Sequence, residues 1–573
     1  MAGTAACVRD ASRPVLSLVT DEVLRSAPTR RDGWHTYGRD WSNQRFVPLA
    51  EINRETVASL EPVWQHNLDL YFRRSTRNES TPLVVDDLLI YTDLKNLVVA
   101  VDVKDGRERW RYRPKLGPVA LCCGMVNRGV AAFGDKVYIA TLDGRVIALH
   151  RSDGSVAWDV AAAQPAQGYS FTMAPLAADG KIIVGASGGE FRIRGFVDAY
   201  DPETGRRIWR FWTTASPDDG GWYGGWSRTT PEGDSLPRDI AAEKRDSARF
   251  SEAWREGGAP VWSTPAYDPR LGLLFVGTGE PTMIDGAVPP GDNLYSTSLI
   301  AIDIATGRMR WWYQMVPHNV WNLDAASPAV LLDVTVGDST IPAVAHAGKT
   351  GWVYILDRRT GRRIRRSDPF IPLENIFPEP TREGTRSSPG VFGGSSWPPP
   401  AYSPRTGLLY VLGSYMPMTF VVDTSHPAAS RRDRFTYARF TKLPDSLWFG
   451  LFSAVDVNTG RIRWQEKVRR RLIYGGALAT EAGLVFFGDQ QGWLNALDAE
   501  TGRTLWRGRA GRGPLGPPIS FLVEGHQRIA VTSQRGVVVF GLPSSSAAQA
   551  LEQPRPVPSF PADTGDSASE AGP

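Results

Sequence analysis

"VVAVDVKDGRERW", residues 98–110, carries the reading of the fold. Its first half alternates apolar and polar side chains, as a half-buried strand does. Asp102 through Gly106 then read as a tight turn, because Asp bonds nearby backbone N–H groups and Gly accepts a positive φ. A second strand follows and ends on Trp110. A lone hairpin of this kind is unstable in water, so its faces have to be buried by neighbours.

The neighbours are copies of itself. "VIALHRSDGSVAW" ends at Trp158, "VDAYDPETGRRIW" at Trp209, "LIAIDIATGRMRW" at Trp311, "FSAVDVNTGRIRW" at Trp464 and "LNALDAETGRTLW" at Trp506. A further copy, "VYILDRRTGRRI" at 353–364, lacks the Trp. Trp110 to Trp158 is 48 residues, Trp158 to Trp209 is 51, and Trp209 to Trp311 is 102, which reads as two such steps. A period of roughly 40–50 residues belongs to propeller arrays. A Trp recurring once per unit suits the docking of one blade on the next, since it buries a large area. Other strand pairs, at 81–92, 266–279 and 401–414, fill the gaps, giving about eight units between residues 34 and 541 at this period. The expected fold is all-β, an eight-bladed β-propeller over residues 31–543, with an N-terminal extension at 1–30. A polar, Pro- and Ser-rich tail at 544–573 reads as disordered. Stretches 213–260, 365–396 and 415–448 break the pattern and read as loops over one face, where function tends to sit.

Composition narrows the class. Hydrophobic residues make up 42% of the chain, enough for a large core, and 20 Trp with 10% aromatics point to β-structure. The net charge is only +4, from 65 basic and 61 acidic residues, which argues against a nucleic-acid partner. The three cysteines, Cys7, Cys122 and Cys123, form neither a disulfide framework nor a zinc spacing, and no C-x-x-C-H marks a fused c-type haem. No apolar run reaches the ~18 residues of a membrane span. The N-terminus shows no secretory apolar stretch. The chain as it stands therefore reads as soluble and unexported.

Between the repeats lie "WHTYGRDWSNQRFVPLAEIN", "CCGMVNRGVA", "GASGGEFRIRGF", "GTGEP", "GDNLYSTSLIAIDIATGRMRWWYQ" and "HAGKTGWVYILDR". In these stretches and in their order, the chain resembles the quinoprotein alcohol dehydrogenases, eight-bladed propellers that use pyrroloquinoline quinone (PQQ) and a metal ion. The resemblance covers roughly residues 30–541. It implies a disulfide between Cys122 and Cys123 packed on one face of the quinone, which wants an oxidising or protected setting. Family members are usually periplasmic, which contrasts with the missing signal. Trp262 falls where the family stacks an indole on the other face. Arg128 matches a carboxylate-binding Arg, whose fork suits that contact. Thr172 and Ser187 match hydroxyl contacts, and Glu79 a polar contact at the cofactor's edge. Lys349 falls where a cation stabilises charge on the quinone oxygens. The string "GKT" at 348–350 also resembles a phosphate loop, but Ala343 stands where that motif needs Gly, and a hydrophobic strand follows in place of a helix.

Glu190 matches a carboxylate ligand for the metal, which is Ca²⁺ or a lanthanide, both taking oxygen donors. At four positions the chain departs from the family. Glu280 replaces the Asn of "GTGNP". Asn322, in "PHNVWNLD" at 317–324, stands where relatives have the Asp that acts as base. Ser396 precedes Trp397 where Asn is usual, and Tyr474 replaces a Trp. Asp324 matches an additional Asp ligand of lanthanide-using members. An amide is no base near neutral pH, and losing general-base help costs about 10²–10⁴ in rate. The expected replacement is Asp324 or Glu280, with Glu190, Glu280, Asn322 and Asp324 around the metal. The implied reaction is oxidation of a primary or secondary alcohol, not methanol, with electrons leaving to a separate cytochrome or quinone. The competing reading is a degenerate propeller serving as a binding scaffold.

Overall fold

The computed structural model describes residues 17–68, 77–121, 123–284, 288–422, 438–442, 447–468 and 474–543. The tail expected at 544–573 lies outside the described residues. The opening repeat forms two antiparallel strands, Leu97–Asp102 and Glu108–Tyr112, the third and fourth of a four-stranded sheet. The other copies do the same. Counting that sheet, eight such sheets run along the described chain, at 83–112, 131–161, 176–212, 266–314, 330–366, 401–468, 477–509 and 519–541, the seventh with Phe46–Val47 as a fifth strand. They are the eight blades of a β-propeller. The last blade takes its fourth strand, Glu61–Asn67, from near the N-terminus, where it pairs antiparallel with Gly536–Gly541. That pairing closes the ring.

Where the repeated Trp is present, it mostly docks its blade on the next; the fifth blade lacks it. Trp110 Nε1 donates to Arg151 O (2.8 Å), Trp158 to Pro202 O (3.0 Å), Trp311 to Arg358 O (3.1 Å) and Trp464 to Ala499 O (3.0 Å). Each indole also lies flat on the turn glycine of the neighbour. A Cβ on Gly154 would stand 2.5 Å from Trp110, and one on Gly205 2.8 Å from Trp158. The turn glycine therefore serves twice: it takes φ +73° in Gly154 and leaves room for the indole. Trp64 on the closing strand repeats the contact with Val103 O (3.2 Å) and Gly106.

The 102-residue interval is not two blades. Trp209 Nε1 donates to Ile304 O (2.9 Å) and packs on Gly307, so the blade ending at Trp311 directly follows the one ending at Trp209. The excess is an insertion between the strands Arg207–Trp212 and Ala266–Asp268. It carries the short helix Ile240–Asp246 and is tied down by Arg238, which is buried between Glu243 and Asp292 at 2.6 and 2.7 Å. A small extra sheet joins Thr385–Ser387, from the stretch between the fifth and sixth blades, to Met418–Val422 and Ala438–Lys442, an insertion within the sixth.

Residues 34–47 run across the inner strands. Trp34 N donates to Val84 O in the first blade, Trp41 Nε1 to Ala177 O in the third, and Asn43 Nδ2 to Ala329 O beside the fifth. Tyr402 N reaches Gln44 O from the sixth. Arg45 donates to Ala477 O (2.8 Å), Pro518 O (2.7 Å) and Tyr37 O (2.7 Å), joining the last two blades. Its guanidinium is fully buried over Trp34, and burial lowers it to about 10. No described helix is long and apolar enough to cross a membrane.

Candidate active site

Blade topology gathers the site residues at one end of the ring. Glu79, Arg128, Thr172, Trp262, Asp324, Ser396 and Tyr474 each fall three to six residues ahead of the first strand of a different blade. Ser187, Glu190, Glu280 and Lys349 fall two to five residues past the end of a second strand. In an antiparallel blade the start of strand one and the end of strand two share an end, so radial symmetry brings all of them together.

One half of the site is a polar cradle around Arg128. Its Nη2 faces Glu79 Oε2 at 2.8 Å, and its Nη1 donates to Thr172 Oγ1 (2.9 Å) and Trp262 O (3.0 Å). Thr172 Oγ1 continues to Ser187 Oγ at 2.9 Å. The guanidinium lies 5.2 Å from the Trp262 ring and 5.4 Å from that of Trp397. Arg128 Nε is buried and has no partner. A buried guanidinium N–H left idle between two indoles needs an acceptor. A planar polycarboxylate stacked on Trp262 fits that requirement.

Sequence reasoning missed Arg77. It donates to Tyr474 Oη (2.6 Å) and to the carbonyl of Cys123, lies 3.5 Å from Glu79 Oε1, and stacks on the Tyr474 ring at 5.4 Å. A cationic Arg thus stands where Tyr474 replaces the family's Trp, and the only signal was its place two residues before Glu79. Cys122 lies outside the described residues, and with it the expected disulfide. Ser396 is half-buried beside Trp397.

The other half is the floor. Asp324 Oδ2 takes a hydrogen bond from Lys349 Nζ, and Asp324 Oδ1 accepts from Glu280 N at 2.7 Å. Lys349 Nζ also donates to Asn322 Oδ1, whose Nδ2 donates to Glu280 Oε1 at 3.1 Å. Gly279 is required beside Glu280, since a Cβ there would stand 2.7 Å from Pro260 and 2.9 Å from Asp324 Oδ1. Asn322 has φ +60°, a conformation that Asn and Asp tolerate better than other side chains. The backbone thus explains an Asx residue here, but not the choice of amide over acid.

Charge divides the two carboxyls. Burial raises Glu280, and the charge of Asp324 pushes it further, well above the ordinary range. Burial would also raise Asp324, but the Lys349 ammonium outweighs it and holds the acid below its usual value. Burial lowers Lys349, but Asp324 and Glu280 bring it above its ordinary value. In this arrangement Asp324 is the more acidic of the two carboxyls and Glu280 the more readily protonated.

The floor's donors are the hard oxygens that Ca²⁺ or a lanthanide takes. Two carboxyls that contend for one proton, with Glu190 adding its negative field to both Glu280 and Lys349, are a donor set that a cation relieves. Among the described residues, however, no three His, Cys, Asp or Glu side chains already gather closely enough to hold an ion. Two of the donors, Asn322 and Asp324, are meanwhile engaged by Lys349.

Comparison with known proteins agrees with this architecture. The family model for the glucose/ethanol/alcohol dehydrogenase β-propeller domain matches residues 34–372 and 362–529. Quinoprotein alcohol dehydrogenase PedH of Pseudomonas putida is 31% identical over 91% of this chain and 89% of its own. The lanthanide-dependent methanol dehydrogenase of Methylacidiphilum fumariolicum is 32% identical over 91% of this chain and 87% of its own. Among solved structures, the quinohemoprotein alcohol dehydrogenase ADHIIG of Pseudomonas putida HK5 superposes with a TM-score of 0.80 at 27% identity, over 96% of this chain and 85% of that one. The fold is that of the propeller dehydrogenases. More narrowly, the chain belongs to the quinoprotein alcohol dehydrogenase family.

Proposed function

We propose that this protein is a PQQ-dependent dehydrogenase that oxidises a primary or secondary alcohol larger than methanol to a carbonyl. The observation that carries the reading is the idle Nε of Arg128, buried between Trp262 and Trp397 within the Glu79–Arg128–Thr172–Ser187 chain. Arg128, Thr172, Ser187 and Glu79 would hold the cofactor's polar edge, and Trp262 one of its faces. The Cys122–Cys123 disulfide is part of this proposal, as the opposite face. Glu190, Glu280, Asn322 and Asp324 would hold a Ca²⁺ or lanthanide ion. When bound, the quinone supplies the hydride acceptor, and the ion makes that quinone a better electrophile.

The chain's own residues handle the proton. Asp324 accepts it from the alcohol hydroxyl. Lys349 keeps Asp324 ionised, and the Glu280 amide holds the other oxygen in place. Asn322 cannot take that role, since an amide is no base near neutral pH; it donates to Glu280 and accepts from Lys349 instead. Lys349 also stands ready to offset negative charge beside it. Met125 and Phe392 are exposed within two residues of Cys123 and Gly394, apolar surface that suits a substrate larger than methanol. Electrons leave to a separate acceptor.

The reading is tested by mixing the protein with PQQ and either Ca²⁺ or La³⁺. Cofactor uptake is followed by absorbance, and dye reduction is then measured with alcohols of increasing size. Turnover that rises from methanol to larger alcohols is expected. No cofactor uptake with either metal would leave a scaffold propeller instead.

A further inference from the structure

A cavity of about 440 Å³ lies beside the 3₁₀ turn Gly189–Phe191. The third blade supplies Arg192 and Arg194 to its lining, and the insertion after that blade supplies Glu252, Arg255 and Glu256. Glu190, in the middle of the turn, sends its negative charge to the floor, where it reaches both Glu280 and Lys349. The next two residues, Phe191 and Arg192, line the cavity instead. Successive residues of a 3₁₀ turn point about 120° apart, so the turn has the floor on one side and the cavity on another.

Two of the three guanidiniums in the lining are matched. Arg192 Nε donates to Glu256 Oε2 at 2.9 Å, with Nη2 on the other oxygen, and Arg255 Nε donates to Glu252 Oε2 at 2.5 Å. Arg194 is not. Its guanidinium lies 4.7 Å from the ring of Trp212 and 4.5 Å from that of Trp254, which fixes its place. Nε and Nη2 donate to Thr214 Oγ1 (3.0 Å) and Thr214 O (3.1 Å), and this uses one edge. The other edge, Nη1 with the second Nη2 hydrogen, has no partner among the described residues, and no described carboxylate pairs with Arg194. Burial lowers this guanidinium to about 10; Asp219 lends an opposing field, and Arg255 works against it. Three cations and two carboxylates thus leave the lining one positive charge in excess, and a partly buried cation without a counter-charge is costly.

We infer that this cavity is a binding site for a small monocarboxylate with an apolar body, held by the open edge of Arg194 and separate from both the quinone and the alcohol. A planar carboxylate matches two parallel guanidinium N–H groups. A phosphate dianion would bring more charge than the single unmatched cation answers. Tyr169, Phe191 and Ile193 give the body an apolar wall, and the volume is that of a small-molecule site. The Glu190 turn stands between this ligand and the floor, so the carboxylate belongs to a separate molecule and not to the alcohol being oxidised. The site does not rest on the dehydrogenase reading.

Benzoate is the probe. Isothermal titration of the whole chain is expected to show one saturable site, retained when PQQ and Ca²⁺ are added, because PQQ competes only for the Arg128 cradle. Benzamide and inorganic phosphate are expected to bind at least about tenfold more weakly, as loss of a charged hydrogen bond costs. Arg194→Lys keeps the charge but loses the fork, and is expected to weaken benzoate by a similar factor. Arg255→Glu, at an exposed position that spares the fold, reverses the excess charge and should do the same. A crystal soaked with 4-bromobenzoate is expected to place bromine in the cavity, with the carboxylate on Arg194. No saturable binding, bromine only at Arg128, phosphate as tight as benzoate, or affinity unchanged in both variants would each overturn the site. In the loaded enzyme, 4-(hydroxymethyl)benzoate and benzyl alcohol are expected to share a similar KM. A KM at least about tenfold lower for the acid, lost in Arg194→Lys, would put the carboxylate on the substrate and overturn the separate ligand. If no alcohol turns over, the dehydrogenase reading fails, and the titration and the bromine position still decide the site.

Discussion

Position 322 separates what a residue's backbone demands from what its chemistry does. Its positive φ asks for Asn or Asp, and the neighbours then use every atom of the amide. Asp324→Asn, assayed at saturating PQQ and metal, is expected to lose about 10²–10⁴ in kcat. On the proposed assignment Glu280→Gln is expected to lose less kcat than Asp324→Asn and to weaken metal binding, because it removes a carboxylate from the donor set; a larger loss of kcat than in Asp324→Asn would move the base to Glu280. Arg128→Ala is expected to weaken PQQ binding about 10- to 100-fold by fluorescence titration, as loss of a charged hydrogen bond does, and to leave Glu79 with Arg77 as its remaining cation. The sequence reading expects a missing base at Asn322 and leaves two carboxylates as candidates. The proposal favours Asp324 because of the ammonium of Lys349 on it, a contact between residues 25 apart that no motif spells out. Arg77 was invisible for the same reason: its meaning comes from Tyr474, 397 residues away.

The repeated hairpin was legible because one short segment contains its whole logic: strand, Asp turn, glycine, strand, Trp. Spacing alone misled at Trp209, where an insertion of nearly one repeat imitates a missing blade. The docking contact corrects it, since an indole can lie only on the turn of the adjacent blade. Trp209→Ala is expected to cost about 3 kcal/mol in urea unfolding, the low end for deleting a large aromatic. Gly307→Ala should cost a similar amount, because its Cβ would stand 2.6 Å from the same indole and its φ is +70°. Because the two changes break one contact, the double variant should fall well short of additivity.

Across the whole molecule, buried histidines set the response to acid. Burial lowers His35 to about 4 and His346 to about 3, and His318 is also held below its ordinary value by burial. Each binds its proton more readily unfolded than folded. The stability they contribute is therefore present above about pH 6.5 and is lost as pH falls toward the folded values. His35 alone accounts for about 3 kcal/mol of that loss, so His35→Gln should flatten the fall of the urea midpoint between pH 6.5 and 4. Ring closure was partly hidden from the sequence, because nothing in "EPVWQHN" at 61–67 announces a partner near residue 540. The same holds for residues 34–47, whose family motif was visible but whose task was not. That segment runs just beneath the cradle: burial pushes Tyr37 up to about 12, and the fields of Arg128 and Glu79 both reach it. Its Arg45 is satisfied only by carbonyls at 477 and 518 beside that of Tyr37. During synthesis the ribosome releases this plug first and its last receptors hundreds of residues later. The cradle therefore has no base while the chain is growing, so under the proposed function the cofactor would load only after translation.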